Sequence, residues 1–327
     1  MRWNWQQPDW PAFRYDATAL RPAEDRFLKG AGVAVGSIAH LGEEDRQGLT
    51  ISLIAQEAVD SSAIEGEVLD RASVQSSVAR HLGIKADQRR ANAAEAGAAE
   101  LMASLYQDYR APLSDEMLFQ WHTMLMNGRR DLNDIGRYRT HHDPMQIVSG
   151  VLYAPKVHFE APPSSSIPDE MAALVIWFNA SAPDGPAPVS VLARAGIAHL
   201  WFESIHPFED GNGRLGRAIA EKALAQCLDT PAITALAEII QRNRKAYYEH
   251  LHRASLSNQI DGWLGWFAEI AVAAQQRTIE RVQFLIAKSR LLDRLRGQIN
   301  SRQEKALLRM FAEGTDGFKG GLSAANY

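Results

Sequence analysis

Cysteine is almost absent from this sequence, since Cys227 is the only one among 327 residues. One cysteine excludes an internal disulfide and a cysteine-based zinc site, and it is typical of a chain in a reducing compartment. Apolar runs of membrane-spanning length are missing as well, and the first residues lack the basic-then-apolar pattern of a secretory signal peptide. These absences predict a cytoplasmic protein with no membrane partner.

A strong excess of charge of either sign is also lacking. The formal net charge is −4, which gives no overall attraction to nucleic acid or to an anionic membrane. Basic residues do recur from Arg277 to Arg309. We interpret this run as the solvated face of a helix, and a nucleic-acid-binding surface is the alternative.

Helical patterns fill most of the chain, so the predicted fold is mainly α. The predicted helices cover residues 43–66, 88–109, 115–127, 167–179, 191–205, 213–228, 242–256 and 262–297. The helix at 191–205 is apolar nearly all round, which predicts a buried position, with Ser190 as its N-cap. Within 136–163, the runs MQIVSG and KVHFEAP predict one small β-hairpin. The tryptophan-rich opening at 3–10 is too aromatic for a disordered tail and predicts a segment folded back onto the body.

A glycine-rich loop, HPFEDGNGRLGR at 206–217, separates two of the predicted helices. Glycine lets backbone N–H groups approach a ligand closely, and the start of the second helix adds unpaired N–H donors and a positive partial charge. Arg214 and Arg217 lie three residues apart on one helix face, where both can fork onto phosphate oxygens. Asn212 can add an amide donor. The loop therefore predicts a phosphate-binding site.

Two further residues of the loop indicate chemistry. Asp210 lies among cations, and a carboxylate beside phosphates most often holds Mg²⁺. His206 is the one loop group that titrates near neutral pH, which makes it the natural general base. Together these residues indicate a nucleoside triphosphate, a metal ion and an acceptor for the proton of an attacking hydroxyl. A plain turn with a hydrogen-bonded interhelix histidine is the alternative.

The same stretch resembles the signature motif of Fic domains. The matching residues are His206, Phe208, Asp210, Gly211, Asn212, Gly213, Arg214 and Arg217. The resemblance extends over roughly residues 30–275 and implies the Fic fold, a helical core with a β-hairpin flap. Members of this family typically transfer AMP from ATP to a hydroxyl of a target protein and release pyrophosphate. The resemblance thus implies a protein adenylyltransferase with ATP as substrate and Mg²⁺ as cofactor.

The resemblance also implies roles for individual residues. His206 would deprotonate a Ser, Thr or Tyr hydroxyl of the target. Phe208 would anchor the loop in the core, and Asp210 would bind Mg²⁺ between the α- and β-phosphates.

The nucleotide contacts are implied in the same way. The backbone of 211–213 and the side chain of Asn212 would cradle the phosphates, with Arg214 on the β-phosphate and Arg217 on the γ-phosphate. Relatives that phosphorylate their target carry a bulkier basic residue where this chain has Gly213, which favours AMP transfer over phosphate transfer. Donors other than ATP remain an alternative, because enzymes that use other nucleotides or phosphocholine share this loop.

A second motif, SSAIEGE at 61–67, resembles the inhibitory motif of the family. Ser61 and Glu65 stand four residues apart and so share one helix face. The resemblance implies that Glu65 pairs with Arg217 where the γ-phosphate would bind, so that ATP binds with its α-phosphate misplaced. Without the family, Glu65 would be one more surface acid. Some relatives also use this glutamate to remove AMP, and that alternative stays open.

The hairpin segment KVHFEAPP, at 156–163, lies where the family has its flap, which pairs with an extended segment of the target by strand addition. The candidate flap residues are Val157, His158, Phe159 and Glu160. A plain surface hairpin is the alternative.

The segment at 242–255 resembles the part of the family that closes over the adenine. Tyr247 and Tyr248 are the candidates for lining the base pocket, with Leu251 beneath them. Packing in the core or on the surface is the alternative for two adjacent tyrosines.

Four regions are expected along the chain. They are an N-terminal region at 1–85 with the inhibitory helix, the Fic core at 86–275, a linking helix at 276–300, and an incomplete winged-helix-like segment at 301–327. A winged helix would make DNA a partner, which leaves open a DNA-binding regulator that uses the Fic core as a nucleotide sensor. A homodimer that modifies itself is a further alternative, and the sequence does not identify the target protein.

Overall fold

Helices make up most of the protein, as the sequence predicts. The computed structural model describes residues 2–85, 87, 89–151, 154–231 and 234–312, apart from the side chains of 149–155. Within these residues lie twelve α-helices and one hairpin: α1 (Ala17–Ala39), α2 (Glu43–Ile64), α3 (Arg71–His81), α4 (Ala93–Asp108), α5 (Asp115–Leu125), β1 (Gln146–Val151), β2 (Ala154–Glu160), α6 (Ile167–Ala180), α7 (Val191–Ile205), α8 (Asn212–Leu228), α9 (Leu236–Arg242), α10 (Arg244–Ala254), α11 (Asp261–Leu295) and α12 (Ser301–Ala312).

Helix α7 lies in the centre of the fold, because nearly all of its side chains are buried. The helix begins as predicted, with Ser190 at the N-cap position, but the side chain of Ser190 makes no capping hydrogen bond. The carboxylate of Glu24, on α1, instead accepts the N–H of Leu192 at 3.0 Å. A glutamate from a distant helix thus satisfies a donor that every helix start leaves unpaired, and it ties α1 to the core.

Two helices of the N-terminal region, α1 and α3, lie outside the predicted ranges. Both follow a capping aspartate, Asp16 or Asp70, whose side chain accepts an N–H of the first turn. Helix α1 packs along α11. Gly30 permits this close approach, because a Cβ at that position would collide with the side-chain amide of Gln275.

The C-terminal helices follow the prediction closely. Helix α10 lies within the range predicted at 242–256, and Arg242 is the last residue of α9, a helix that the sequence did not predict. Helix α11 runs unbroken for 35 residues and matches the helix predicted at 262–297. Arg277 and Arg281, at the start of the basic run, both pair with the buried carboxylate of Glu238 on α9. Only the basic residues from Arg290 onward are exposed, as a solvated helix face requires.

The predicted hairpin is present, and three of its apolar side chains are exposed. Strands β1 and β2 are antiparallel and pair Ile147 with Phe159 and Val148 with Val157, with a bulge between Ile147 and Val148. The side chain of Phe159 is buried, whereas Ile147, Val148 and Val157 remain exposed to solvent. A two-stranded sheet of this size is marginally stable alone, so its position depends on the elements around it.

The two ends of the chain differ in how far they can be described. The tryptophan-rich opening folds back as predicted, with Trp3 buried against Phe159. At the other end, residues 313–327 lie outside the described residues, so the winged-helix prediction for 301–327 can be followed only through α12. Of the helices that the structure describes, none is long and apolar enough to cross a membrane.

Candidate active site

The loop at 206–217 connects α7 to α8 through two left-handed backbone positions. His206 is the C-cap of α7 with a φ of 51°, and its N–H donates to the carbonyl of Phe202. Gly211 precedes α8 with a φ of 81°, which glycine adopts without steric cost. A left-handed conformation is uncommon for any other residue, so the surroundings must stabilise it at His206.

Arg139 provides part of that stabilisation. Its Nε donates to the carbonyl of His206 at 2.9 Å, and its main-chain N–H donates to the carbonyl of Pro207 at 2.9 Å. Its Nη2 also donates to the carbonyl of Pro162, just beyond the hairpin, at 2.5 Å. Burial lowers the pKa of Arg139 to about 10, which leaves the guanidinium charged at neutral pH. One buried cation therefore connects the loop to the end of the flap.

Phe208 and Asn212 fix the shape of the loop. Phe208 is fully buried, and the side chain of Asn212 both accepts its N–H at 2.9 Å and donates to its carbonyl at 2.8 Å. Both polar groups of Asn212 thus help to close the loop, and one N–H of its amide is used on the Phe208 carbonyl. The contribution of Asn212 to phosphate binding stays a prediction.

His122, on α5, supports the same loop from behind. Its ring stacks on Phe208, with the ring centroids 4.2 Å apart. Its Nδ1 accepts the N–H of Gly136 at 3.0 Å, so the proton lies on Nε2, which is 3.2 Å from the carbonyl oxygen of Asp210. Burial lowers the pKa of His122 to about 4, so the ring is neutral at physiological pH.

The imidazole of His206 is also neutral in the folded protein. Burial lowers the pKa of His206 to about 4, and the positive charge of Arg139 acts in the same direction. A neutral imidazole is the form that can accept a proton from a hydroxyl.

Glu203 lies beside this histidine, with its Oε2 3.9 Å from Nδ1 of His206. Burial raises the pKa of Glu203 to about 8, and the negative charge of Glu65 adds to this shift. Glu203 thus carries a proton near neutral pH, and its buried Oε1 has no hydrogen-bond partner among the described residues.

Asp210, the predicted Mg²⁺ ligand, contacts two arginines. Its Oδ2 lies 2.5 Å from Nη1 of Arg129 and its Oδ1 lies 3.6 Å from Nη2 of Arg214. Burial alone would raise the pKa of Asp210, but the hydrogen bond from Arg129 and the charge of Arg214 outweigh burial and lower it. No cluster of three or more histidine, cysteine or acidic side chains suited to a metal ion occurs in the described part of the chain. A single carboxylate fits Mg²⁺, which commonly takes one or two carboxylates plus phosphate oxygens and waters.

Arg217, the predicted γ-phosphate ligand, is in direct contact with both residues of the predicted inhibitory motif. Its Nη1 lies 2.8 Å from Oε1 of Glu65, and its Nε and Nη2 donate to the hydroxyl and the carbonyl of Ser61. Burial alone would raise the pKa of Glu65, but the charge of Arg217 outweighs it and lowers that pKa. Gly213 leaves the space for this contact, because a Cβ there would collide with the Glu65 carboxylate.

Arg214, the predicted β-phosphate ligand, is neutralised in the same way by a residue that the sequence did not single out. Its Nη1 donates to Oε2 of Glu67 at 2.6 Å. Both arginines of the loop are therefore occupied by carboxylates from one short segment at the end of α2.

A cavity of about 660 Å³ opens over the loop. Its walls come from the loop, from α10 and from the hairpin, and they include Glu65, Glu203, His206, Asp210, Tyr247, Tyr248, Leu251, Ser255, His158 and Phe159. The structure thus places both predicted base-pocket tyrosines and Leu251 on the cavity. Of the candidate flap residues, His158 and Phe159 line it, whereas Val157 and Glu160 lie outside its lining.

Two family models match the chain. Residues 112–224 match the model described as the Fic/DOC family, and residues 3–84 match a domain of unknown function, DUF4172. The chain contains a Fic/DOC domain, at residues 112–224. The exact domain boundaries expected from the sequence stay predictions.

The Fic domain has relatives among curated proteins and solved structures. The chain is 31% identical over 96 residues to a protein of Aquifex aeolicus named probable protein adenylyltransferase, covering 29% of this chain and 26% of that protein. It is 25% identical over 179 residues to the protein adenylyltransferase fic-1 of Caenorhabditis elegans, covering 55% of this chain and 31% of that protein. The chain thus spans less than a third of the length of these relatives.

Structural similarity extends over most of the chain. A Fic family protein from Desulfovibrio desulfuricans superposes with a TM-score of 0.58 at 23% identity, covering 79% of this chain and 74% of that one. A fragment of Fic-1 from Caenorhabditis elegans superposes with a TM-score of 0.54 at 19% identity, covering 79% and 72%. At these identities the similarity establishes the shared fold.

Several residues of the Fic site carry no local signal in the sequence. Arg139 reaches the loop from the segment before the hairpin, His122 from α5 and Glu203 from α7. The role of each depends on tertiary contacts. Glu67 is the exception, because it stands at the end of the quoted motif SSAIEGE, two residues after Glu65. Two acids at that spacing, opposite two arginines three residues apart, are the signal that could have identified it.

Proposed function

We propose that this protein transfers AMP from ATP to a Ser, Thr or Tyr hydroxyl of a target protein or of itself, and that Glu65 holds this reaction off. The observation that carries the proposal is the ion pair of Arg217 and Glu65 beside a buried, neutral His206. A buried cation at the start of a helix is suited to an anionic ligand, and here the protein supplies the anion itself. The relatives named protein adenylyltransferases support the same reaction.

The transfer follows from the placement of the loop groups. His206 accepts the proton of the target hydroxyl as its oxygen attacks the α-phosphorus of ATP. The bond from that phosphorus to the bridging oxygen breaks, pyrophosphate leaves, and His206 returns its proton to solvent. The loop contributes position and positive charge, from Arg214, Arg217 and the start of α8. Asp210 would hold Mg²⁺ together with phosphate oxygens, and the ion would neutralise charge on the phosphates.

The flap is the proposed docking site for the target. The exposed apolar residues Ile147, Val148 and Val157 and the backbone of the hairpin suit an extended peptide that adds as a strand. Strand addition depends mainly on hydrogen bonds to the backbone of the docked peptide, so it does not identify the target. We place the reaction in the cytoplasm, in keeping with the single cysteine.

Inhibition in this proposal involves two carboxylates. Glu65 occupies the position where Arg217 would bind the γ-phosphate, and Glu67 holds Arg214 away from the β-phosphate. Nucleotide can enter the cavity beside them, but its triphosphate cannot contact both arginines. Removal of Glu65 therefore releases the enzyme.

Labelling with ATP radioactive at the α-phosphate tests the proposal. Three proteins are compared: the natural chain, Glu65→Gly, and Glu65→Gly combined with His206→Ala. We expect incorporation into protein to increase strongly with Glu65→Gly and to disappear with His206→Ala. Label from ATP radioactive at the γ-phosphate should not be incorporated.

The other outcomes separate the alternatives. Incorporation in the absence of any other protein would indicate self-modification, including modification within a homodimer. Label from the γ-phosphate would indicate phosphate transfer and contradict the proposal. No histidine-dependent incorporation at all would favour a regulator that uses the Fic domain as a nucleotide sensor.

A further inference from the structure

The first residues of the chain contact three walls of the active-site cavity at once. Residues 3–7, which we call the N-terminal brace, lie between the flap, the end of α7 and the end of α10. They belong to the region matched by the domain of unknown function, and the proposed reaction gives them no role.

The brace holds the second strand of the flap. The Nε1–H of Trp5 donates to the carbonyl of Glu160 at 2.7 Å. The ring of Trp3 packs edge-on against Phe159, with centroids 5.3 Å apart, and these two residues form a small buried cluster with Ala161. Because a two-stranded hairpin is marginal alone, these contacts contribute to fixing where β2 lies.

The same few residues hold the opposite walls. Asn4 is fully buried, and its Nδ2 donates to the hydroxyl of Ser204, at the end of α7, at 2.9 Å. Its main-chain N–H donates to the carbonyl of Ser255, at the end of α10, at 2.7 Å. Ser204, Ser255 and Phe159 all line the cavity. The brace therefore contacts the flap through Trp3 and Trp5 and the ends of α7 and α10 through Asn4.

We propose that the N-terminal brace positions the flap, so that a strand docked on the hairpin presents its hydroxyl to His206. This inference rests on the proposed function, because it assigns the brace to the docking step of that reaction. The side chains of the brace do not line the cavity, so they are positioning residues. Their loss should change where the target lies and leave the binding of ATP intact.

Two matched substitutions test the role of the brace. Trp5→Phe keeps an aromatic ring and removes the donor to Glu160. Trp10→Phe is the control, since it removes an equivalent indole donor that binds Glu170 at 2.8 Å, away from the cavity. Both are made in the Glu65→Gly variant, and the readouts are amide hydrogen exchange across β2, the KM for ATP, and the rate of AMP incorporation into the acceptor found with Glu65→Gly.

We expect amides of 156–160 to exchange about fivefold faster in Trp5→Phe, as the loss of one hydrogen bond predicts. AMP incorporation at a low acceptor concentration should fall about fivefold as well. The KM for ATP should not change, and Trp10→Phe should match the parent in all three readouts.

Equal exchange across β2 in the two variants would overturn the proposal, and so would faster exchange with unchanged incorporation. Hydrogen exchange does not depend on catalysis. If the parent shows no incorporation, the proposed function fails, whereas the exchange comparison still decides whether the brace holds the flap.

Discussion

Glu65→Gln is the sharpest physical test of the ion pair between Glu65 and Arg217, to which we assign the proposed inhibition, because it removes the charge and retains the shape of the side chain. The change leaves Arg217 without its ionic partner, 2.8 Å away, in a site where the Arg217 side chain is only 2% exposed. Removing one member of a fully buried pair costs about 3–5 kcal/mol. Here the Glu65 side chain is 31% exposed and Ser61 still accepts two hydrogen bonds from Arg217. We therefore expect a loss of about 2 kcal/mol in the free energy of unfolding.

The expected change in melting temperature follows from the size of the chain. An unfolding entropy of about 2.1 cal/mol/K per residue, applied to 327 residues, converts that loss into a decrease of about 3 °C in Tm. Scanning calorimetry with and without Mg²⁺ and ATP measures both the loss and its recovery. ATP should raise the Tm of Glu65→Gln more than that of the natural protein, because its γ-phosphate restores a negative charge beside Arg217.

Glu67→Gln is the matched control for this measurement. Its partner Arg214 is less buried and Glu67 itself is 37% exposed, so the loss should stay below about 1 kcal/mol. If Glu65→Gln melts at the temperature of the natural protein, the ion pair does not stabilise the fold. If ATP shifts both proteins equally, Glu65 does not compete with the γ-phosphate.

Three further predictions follow from the site. Asn212→Ala leaves the N–H and carbonyl of Phe208 unpaired, which should lower the free energy of unfolding by about 2 kcal/mol and reduce AMP incorporation more than tenfold; a fully active variant would refute the role of this side chain in closing the loop. Adding Glu67→Gln to the variant that lacks the inhibitory glutamate should lower the Kd for ATP several-fold in calorimetric titration, and an unchanged Kd would show that Glu67 does not oppose the nucleotide. Burial lowers the pKa of His199 and of His206 to about 4, so between pH 6.5 and 4 the unfolded chain binds protons that the folded chain does not. Each such histidine should therefore lower stability by about 1.4 kcal/mol per pH unit as the pH drops through this window, whereas Glu203, whose pKa burial raises to about 8, acts in the opposite direction. Urea unfolding of the natural protein and of His206→Ala at several pH values isolates the contribution of one ring, and an equal pH dependence in the two proteins would show that His206 is not buried as a neutral group.

The parts of the fold that the sequence predicts are those with a strong local pattern. Helix α7 is apolar along its length, and the loop at 206–217 combines glycine, charge and histidine in twelve positions. Both can therefore be predicted from their own residues, without tertiary information. Helix α1 cannot be predicted in this way, because Gly30 has a poor helix propensity. Gly30 instead allows the close packing of α1 against α11. Tertiary packing outweighs the propensity there.

The site divides in the same way between local and distant information. The residues of the loop, Ser61 and Glu65 can be named from their motifs, and the structure brings Glu65 to Arg217. The cap on α7 could not be named, since Ser190 has the right residue type at the right place and Glu24 takes the role from another helix. Arg139 could not be identified from the sequence either, because its hydrogen bonds connect segments that are far apart along the chain.

Gly213 has a consequence that reaches beyond its place in the loop. A methyl group there would meet the Glu65 carboxylate, which is the end of a flexible side chain, and would lie 3.2 Å from Nη1 of Arg217. The glutamate can swing away, whereas the buried arginine cannot. A larger residue at position 213 would therefore act at once on the proposed phosphate cradle and on the proposed inhibitory contact. Under the proposed function, the choice of donor and the control of activity would change together at this position.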